Sequence, residues 1–463
     1  MARKKNLERA IVLGLILSTG LYSTAWAKLS NQLWINTDAE TGSEFKLDYP
    51  NRNWEINNRE EVDQKHFEAG VLVTSTNPNS GNNYNFTFTW NLNSLNINIT
   101  KLAEGIVNTS NNYYIAGIMT DGFDKDKTAN LILTTNNGIN VNVNSQNNYS
   151  AVGVWAQSND SIKLTSSTGD VTITVNKTEG DNLSYINGGY PNITQTEDRK
   201  LHAVYGLNAS SNPQNSSEQG GAIEVITNNG SISVTAKNKS DDLTNSHVYA
   251  AANDNGHLIL SAGQGADYDG TGSIYLSAES KGNNNVYGLD TWAGKTNKLT
   301  ADEIYLSAKA KSGTAYALKA SGGAKDNNFT ADYNKFTAEA GANGTFSAGE
   351  SYAMWVDGNS VVTVNGKQND IIGAVYANGS NESGEASTIT IGGKNGETAI
   401  NNFVSASAIK DAGGIYTKYT LADGETGSEE EIKQVVSALY AEGGAKIEVS
   451  GINNIQTSYK KTF

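Results

Sequence analysis

Ala203-Val204-Tyr205-Gly206-Leu207-Asn208-Ala209 decides how the chain is read, because it comes back. It returns as Val248-Tyr249-Ala250-Ala251-Ala252, Val286-Tyr287-Gly288-Leu289-Asp290, Ala315-Tyr316-Ala317-Leu318-Lys319-Ala320 and Ser351-Tyr352-Ala353-Met354-Trp355-Val356. Shorter copies follow at Val375-Tyr376-Ala377, Ile415-Tyr416-Thr417 and Leu439-Tyr440-Ala441. Two earlier copies, Ile115-Ala116-Gly117-Ile118-Met119 and Ala151-Val152-Gly153-Val154-Trp155-Ala156, lack the tyrosine. The small residues at the centres of these ten copies lie 24 to 53 positions apart. One motif returning at uneven spacing describes a solenoid whose coils are separated by insertions of varying length.

Within the motif, strand alternation assigns the faces, since successive side chains on a strand point to opposite sides. Tyr316, Leu318 and Ala320 then share one face and Ala317 and Lys319 the other, as do Tyr352, Met354 and Val356 against Ala353 and Trp355. This reading expects the repeat tyrosines to stack inward. More strands lie between the copies: Ser161-Ile162-Lys163-Leu164-Thr165 and Val171-Thr172-Ile173-Thr174-Val175, then Ala222-Ile223-Glu224-Val225-Ile226 and Ile232-Ser233-Val234-Thr235-Ala236. Strand, polar turn, strand, turn, strand is one coil of a parallel β-helix. An antiparallel sandwich would not require one motif to recur in one register. The expected fold is all-β: a right-handed parallel β-helix with an N-terminal cap.

The first residues read as a secretory signal. Arg3, Lys4, Lys5 and Arg9 precede the apolar run Ala10 to Leu17, and Ala25-Trp26-Ala27 is a small-x-small cleavage site. The run is too short to span a bilayer as a helix, so residues 1–27 are expected to be removed. Losing four basic residues and one acidic one takes the formal charge from −14 to −17. So acidic a chain has no basic patch with which to hold nucleic acid or anionic lipid. With no cysteine, neither disulfides nor a lipidated thiol holds it. The 47 glycines and only four prolines suit long, turn-rich β structure.

Residues 28–110 lack the motif and carry Trp34, Trp54, His66, Tyr84 and Trp90; they are expected to form a cap and first strands that shield the edge of the first coil. The alternative is a small binding domain. Residues 111–463 are expected to be the β-helix, with long insertions at 179–200 and 212–221 where binding loops collect. Ser428-Glu429-Glu430-Glu431 begins like a capped helix, with Ile432, Val435, Val436 and Leu439 on one face. Residues from Ser437 onward match the repeat instead, leaving a short helix before them.

A search for chemistry returns little. His66, His202, His247 and His257 form no ligand pair. Asp267-Tyr268-Asp269-Gly270 has a calcium-like alternation but neither a later glutamate nor calcium-roll repeats. No nucleophile elbow is present. The acidic pairs Asp124 with Asp126, Asp241 with Asp242, and Asp302 with Glu303 lie in polar turns, where carboxylates are normally solvated. No metal, cofactor or catalytic group is assigned. The outward slot after the small residue is more informative: Trp155 and Trp355 both occupy it, and Trp292 lies two residues beyond it. A tryptophan facing water suits a partner, while an overlying loop could equally cover it. These three are the candidate ligand-binding residues.

The signal, the absent cysteine, the Gly/Asn/Ser/Thr richness and the Tyr-(Ala/Gly)-(Leu/Met) coils from about Asn111 to Ile455 together resemble the passenger region of bacterial type V autotransporters, the adhesin-like kind. The resemblance implies a β-helix displayed at the cell surface or outer membrane, acting in adhesion, aggregation or biofilm formation. Its partners would be glycans or proteins of host or bacterial surfaces, with self-association among them. It departs from the family in one respect: the coils run almost to Phe463, leaving no translocator barrel. Outer-membrane attachment is therefore expected only through a barrel absent from this chain. The alternative function is a secreted polysaccharide lyase or glycosidase on a β-helix, which would need acidic and basic residues converging across neighbouring coils.

Overall fold

Each motif strand is hydrogen-bonded in parallel to the motif strand of the coil before and the coil after. Val204 pairs with Ala151 on one side and Val248 on the other, and Tyr205 with Val152 and Tyr249. The computed structural model describes residues 33–36, 44–57, 69–74, 85–101, 114–121, 128–145, 150–178, 203–210, 220–240, 247–265, 270–282, 284–341, 351–379, 386–405, 408–410, 434–436 and 438–457. Among these, the motif strands form one sheet of eleven, from Leu33–Asn36 and Ala69–Thr74 through Val204–Ser210 to Ala374–Asn378 and Leu439–Glu442. Two more strands complete a typical coil, such as Ser161–Ser166 and Val171–Lys177 after Ser150–Gln157. Each pairs only with its counterparts above and below, so the chain winds round a second and a third face. The fold is a parallel β-helix.

The second and third faces join into one 20-stranded sheet near the N-terminal end. There the long strand Phe86–Lys101 turns the corner unbroken: Phe86 to Leu92 pair with Ala129 to Thr135, and Leu95 to Lys101 with Ile139 to Ser145. Glu44–Asn57 lies parallel beside it, with a register shift between Tyr49 and Asn53. Parallel stacking thus includes strands within residues 28–110, the region read as cap and first strands. Residues 1–27, the motif copy at Ile415 to Thr417 and most of the two long insertions lie outside the described residues.

Alternate residues of the second and third faces fill the interior, for instance Ile162, Leu164, Val171, Ile173, Val175, Val225 and Val234, each buried. Each such side chain contributes roughly 1.5–3 kcal/mol by leaving water. At several corners the interior is polar, and asparagine amides hand one hydrogen bond from coil to coil. Asn334 donates to Asn369 at 2.9 Å, Asn369 to Asn401 at 2.8 Å and Asn401 to Asn453 at 2.7 Å. Asn253, Asn297 and Asn327 form a similar row.

The tyrosines do not point inward. Leu318 and Ala320 do lie in the main core, but so do Ala315 and Ala317, whereas Tyr316 packs in a separate cluster on the outside of the sheet. Strict alternation fails at the small residue. A Cβ on Gly206 would come 2.3 Å from Val234 Cγ1 of the third face and 2.4 Å from the Ala250 carbonyl. The small residue therefore faces the interior, and so does the leucine after it. Two consecutive inward positions kink the strand and throw the preceding tyrosine outward. The kink recurs from coil to coil, so register is kept, and only Gly or Ala fits where the backbone approaches the next coil so closely.

Two shorter copies stack differently from the motif register. Tyr352 pairs with Ala374 and Trp355 with Tyr376, across a register shift. Tyr376 and, above it, Tyr440 therefore stand in the tryptophan slot rather than the tyrosine slot. Val435 and Val436, read as part of a short helix, belong instead to the strand Gln434–Val436, antiparallel to Ala408–Lys410.

Candidate functional site

The outside of the motif face carries two columns of side chains, the first entirely of aromatic rings. In the first, Tyr205, Tyr249, Tyr287, Tyr316 and Tyr352 stack ring on ring, with centroids 4.8, 4.6, 5.0 and 5.4 Å apart and planes within 13° of parallel. Strands lie about 4.8 Å apart, so the ladder itself sets the stacking distance. His247 meets Tyr249 and Tyr287 edge-on, and the Lys319 ammonium lies 5.7 Å from the Tyr316 ring. Burial pushes the Tyr205, Tyr249 and Tyr287 hydroxyls well above the usual phenol value, helped by the nearby Asp290 carboxylate. This column is structural: Tyr205, Tyr287 and Tyr352 are buried, and the other two half-buried.

The second column contains two of the candidate tryptophans. Register runs from Trp155 through Asn208, Ala252, Asp290 and Lys319 to Trp355, so both do share one outward row, five coil steps apart. In backbone register Trp34 aligns with Trp155 through Leu72 and Met119, an alignment the sequence hides because no motif tyrosine precedes it. Trp155 and Trp355 are half-buried. Trp155 Nε1 donates to Ser210 Oγ at 3.0 Å. Trp355 packs at a tilt 4.2 Å from Tyr376, meets Tyr352 edge-on and donates to Asp357 Oδ2 at 2.9 Å. Trp292 differs, being 57% exposed. It lies over Gly322, where a Cβ would come 3.1 Å from its ring. The three do not converge on one point.

The third face holds an aromatic group that motif reading missed. Ile274-Tyr275-Leu276-Ser277-Ala278 recurs 30 residues later as Ile304-Tyr305-Leu306-Ser307-Ala308, and the two stretches pair in register. Here alternation is unbroken: Ile274 and Leu276 fill the core while both tyrosines point out. Tyr275 and Tyr305 stack at 4.6 Å, and Tyr333 of the next coil meets Tyr305 edge-on at 5.7 Å. Carboxylates hold the hydroxyls: Tyr305 donates to Glu303 at 2.9 Å and Tyr333 to Asp370 at 2.6 Å. Burial raises the Asp370 carboxyl, but hydrogen bonds from Tyr333, Asn402 and Gln368 outweigh it and hold the group below its ordinary value. Tyr275, at the end of the stack, is 39% exposed. Its neighbour on the preceding coil is Ser233, whose side chain is too short to cover the other face of the ring.

Other candidates carry little chemistry. His257 is half-buried and held below its ordinary value by burial and then by Lys295. Asp302 accepts from the Gly272 amide, and Glu303 from Ser273 and Tyr305, so this pair closes turns and orients neighbours. His66, His202, Asp124, Asp126, Asp241, Asp242, Asp267 and Asp269 lie outside the described residues. No group of three metal-ligating side chains occurs among the described residues. Asp332 receives Lys394 at 2.9 Å and Lys367 at 3.2 Å from the next coils, and its hydrogen bond from Lys394 leads the effects that hold its carboxyl below the ordinary carboxylate value. No protein-family model, curated protein or solved structure matches the chain.

Proposed function

We propose that the protein is an exported, surface-associated β-helix of the adhesin-like kind, binding cell-surface ligands or neighbouring cells without catalysis. One observation carries this reading: the interior is filled by apolar ladders, while aromatic rings are left to solvent on the outer faces at Tyr275 and Trp292, 39% and 57% exposed. Exposed rings suit recognition; the other exposed large apolar side chains among the described residues, Ile400, Val404, Ile452 and Ile455, lie together on two neighbouring strands near residue 457. Support for export comes from the signal-like residues 1–27 and the absence of cysteine, and the autotransporter-passenger resemblance fits the parallel β-helix. No helix among the described residues is long and apolar enough to cross a membrane; attachment through a β-barrel is a separate matter.

The test is adherence of beads coated with the purified chain to bacterial and host cells. A Tyr275→Ala, Trp292→Ser chain should keep its β spectrum and melting temperature but adhere less. Replacing Trp155 and Trp355 should lower the melting temperature, because Trp155 packs against an outer apolar cluster and Trp355 against the rings of Tyr352 and Tyr376. Wild-type beads that fail to adhere to any cell would sink the reading. A second reading, a polysaccharide-acting enzyme, is supported by the convergence of Asp332, Lys367 and Lys394. Release of new reducing ends or unsaturated sugars from an acidic polysaccharide would favour it.

A further inference from the structure

The third-face stack ends in a step. Outward residues along that row run Thr172, Ser233, Tyr275, Tyr305 and Lys335. Two rings therefore stand on adjacent coils, and the row then drops to a hydroxymethyl group. One coil is about 4.8 Å thick, close to the separation at which one ring rests on another. A saturated six-membered ring seated on Ser233 would thus lay one C–H face on the open face of Tyr275 as a third member of the stack. The floor around it is hydroxylic: Ser233 and Thr235 on one strand and Ser231 just before it are all half-exposed. On the neighbouring strand, Ser277 flanks the ring on one side and buried Ser273 on the other. Beyond Thr235 the row closes with the ion pair of Lys237 and Glu279 at 3.1 Å.

We infer that the step formed by Tyr275 over Ser231, Ser233 and Thr235 is a binding site for a pyranose unit of a neutral glycan. The inference rests on the adhesin-like reading and supplies its ligand class. The C–H face of a pyranose is apolar and matches an aromatic face, while its equatorial hydroxyls need donors and acceptors at the rim. Serine and threonine hydroxyls supply both. Charge makes the selection: the chain's formal charge is −14 and Glu303 stands beside the tyrosines, so a sulfated or uronic-acid polymer would be repelled. The tyrosines are pre-positioned, because Tyr305 is fixed by Glu303 and by Tyr333. Tyr275 rests on Tyr305, so little side-chain freedom remains to be lost on binding.

The experiment uses the full chain with cello-, malto- and chito-oligosaccharides, and heparin as the polyanion, followed by saturation-transfer NMR and titration calorimetry. At least one neutral series should bind and heparin should not. Tyr275→Ala should weaken binding about tenfold, as expected for loss of one stacking contact. Tyr275→Phe keeps the ring and should keep the binding. Ser233→Tyr places a third ring on the step; it should abolish binding while leaving the β spectrum and melting temperature unchanged, which separates an occluded site from an unfolded one. No binding to any neutral series, preference for heparin, or binding indifferent to both Tyr275→Ala and Ser233→Tyr would each overturn the inference. Cell adherence that survives Tyr275→Ala and Ser233→Tyr would overturn this ligand and leave the adhesin-like reading standing.

Discussion

Tyr249 and Tyr275 each rest on a tyrosine one coil away with ring centroids 4.6 Å apart, yet they stand in different surroundings. Tyr249 is the second of five rings and is covered on both faces, beside a second outward row of Trp155, Asp290, Lys319 and Trp355, with His247 against its edge. Tyr275 ends a stack, flanked by serines and faced by Ser233. The ladder imposes the same spacing on both, so stacking alone says nothing about function. What differs is whether the last ring has a covered face. Aromatic columns on a β-helix hold coils together where they are continuous and offer a surface where they stop.

Breaking that contrast begins from the inside of the motif strand. Leu318→Asp puts a carboxylate where no water reaches, since Leu318 is fully buried, and should cost about 3–5 kcal/mol or prevent folding. Lys319→Asp, one residue on, loses cation contacts with the Tyr287 and Tyr316 rings, about 0.5–1 kcal/mol. It also sets a second carboxylate beside Asp290 of the preceding coil, costing up to about 1 kcal/mol more. Equal melting temperatures for the two variants would reverse the assignment of faces. Tyr352→Ala, deleting a fully buried ring from the long column, should cost about 3 kcal/mol in denaturant unfolding.

Alkaline titration sharpens the comparison without mutation. Tyr205, Tyr249 and Tyr287 have folded values raised above the ordinary 10.0, so their neutral form is favoured by the fold. Their contribution is complete below pH 10 and is lost as pH climbs from there towards the folded values. Phenolate absorbance from the column should therefore appear together with loss of the β spectrum. Ionisation of all tyrosines near pH 10 in a chain that stays folded would show the column to be open. The smallest effect belongs to Tyr275→Ala, which should change stability by about 0.5 kcal/mol, the low end for one stacked pair, because the ring is 39% exposed.

Much of this was legible. The motif from Val204 to Val356 gave the parallel register residue for residue, because a coil stacked on its predecessor repeats the environment of each position. The facing of the tyrosine was not legible by alternation, since two successive inward residues at Gly206-Leu207 break period two, and a tyrosine packs acceptably on either side of a sheet. The first two coils escaped notice because Leu33 to Asn36 and Ala69 to Thr74 carry no tyrosine, although Gly70 stands in the small slot, 2.8 Å from Ile97 by its would-be Cβ. Tyr376 and Tyr440 misled for the opposite reason: a tyrosine was present, but one slot along. The Tyr275 site left a readable trace in the doubled Ile-Tyr-Leu-Ser-Ala, which attention to the longer motif obscured.

The asparagine row along the corner has a direction. Every amide from Asn334 to Asn401 gives its hydrogen to the oxygen of the following coil, so the row is an aligned chain of small dipoles. Its first oxygen, Asn334 Oδ1, is buried with no hydrogen-bond partner. Such a row ages asymmetrically. Were Asn401 to deamidate, its new carboxylate would still accept from Asn369, yet it would confront the Asn453 oxygen where a donor had stood and would also lose the Ser450 carbonyl. Chemical damage in one coil is felt by the coil after it and spared the coil before.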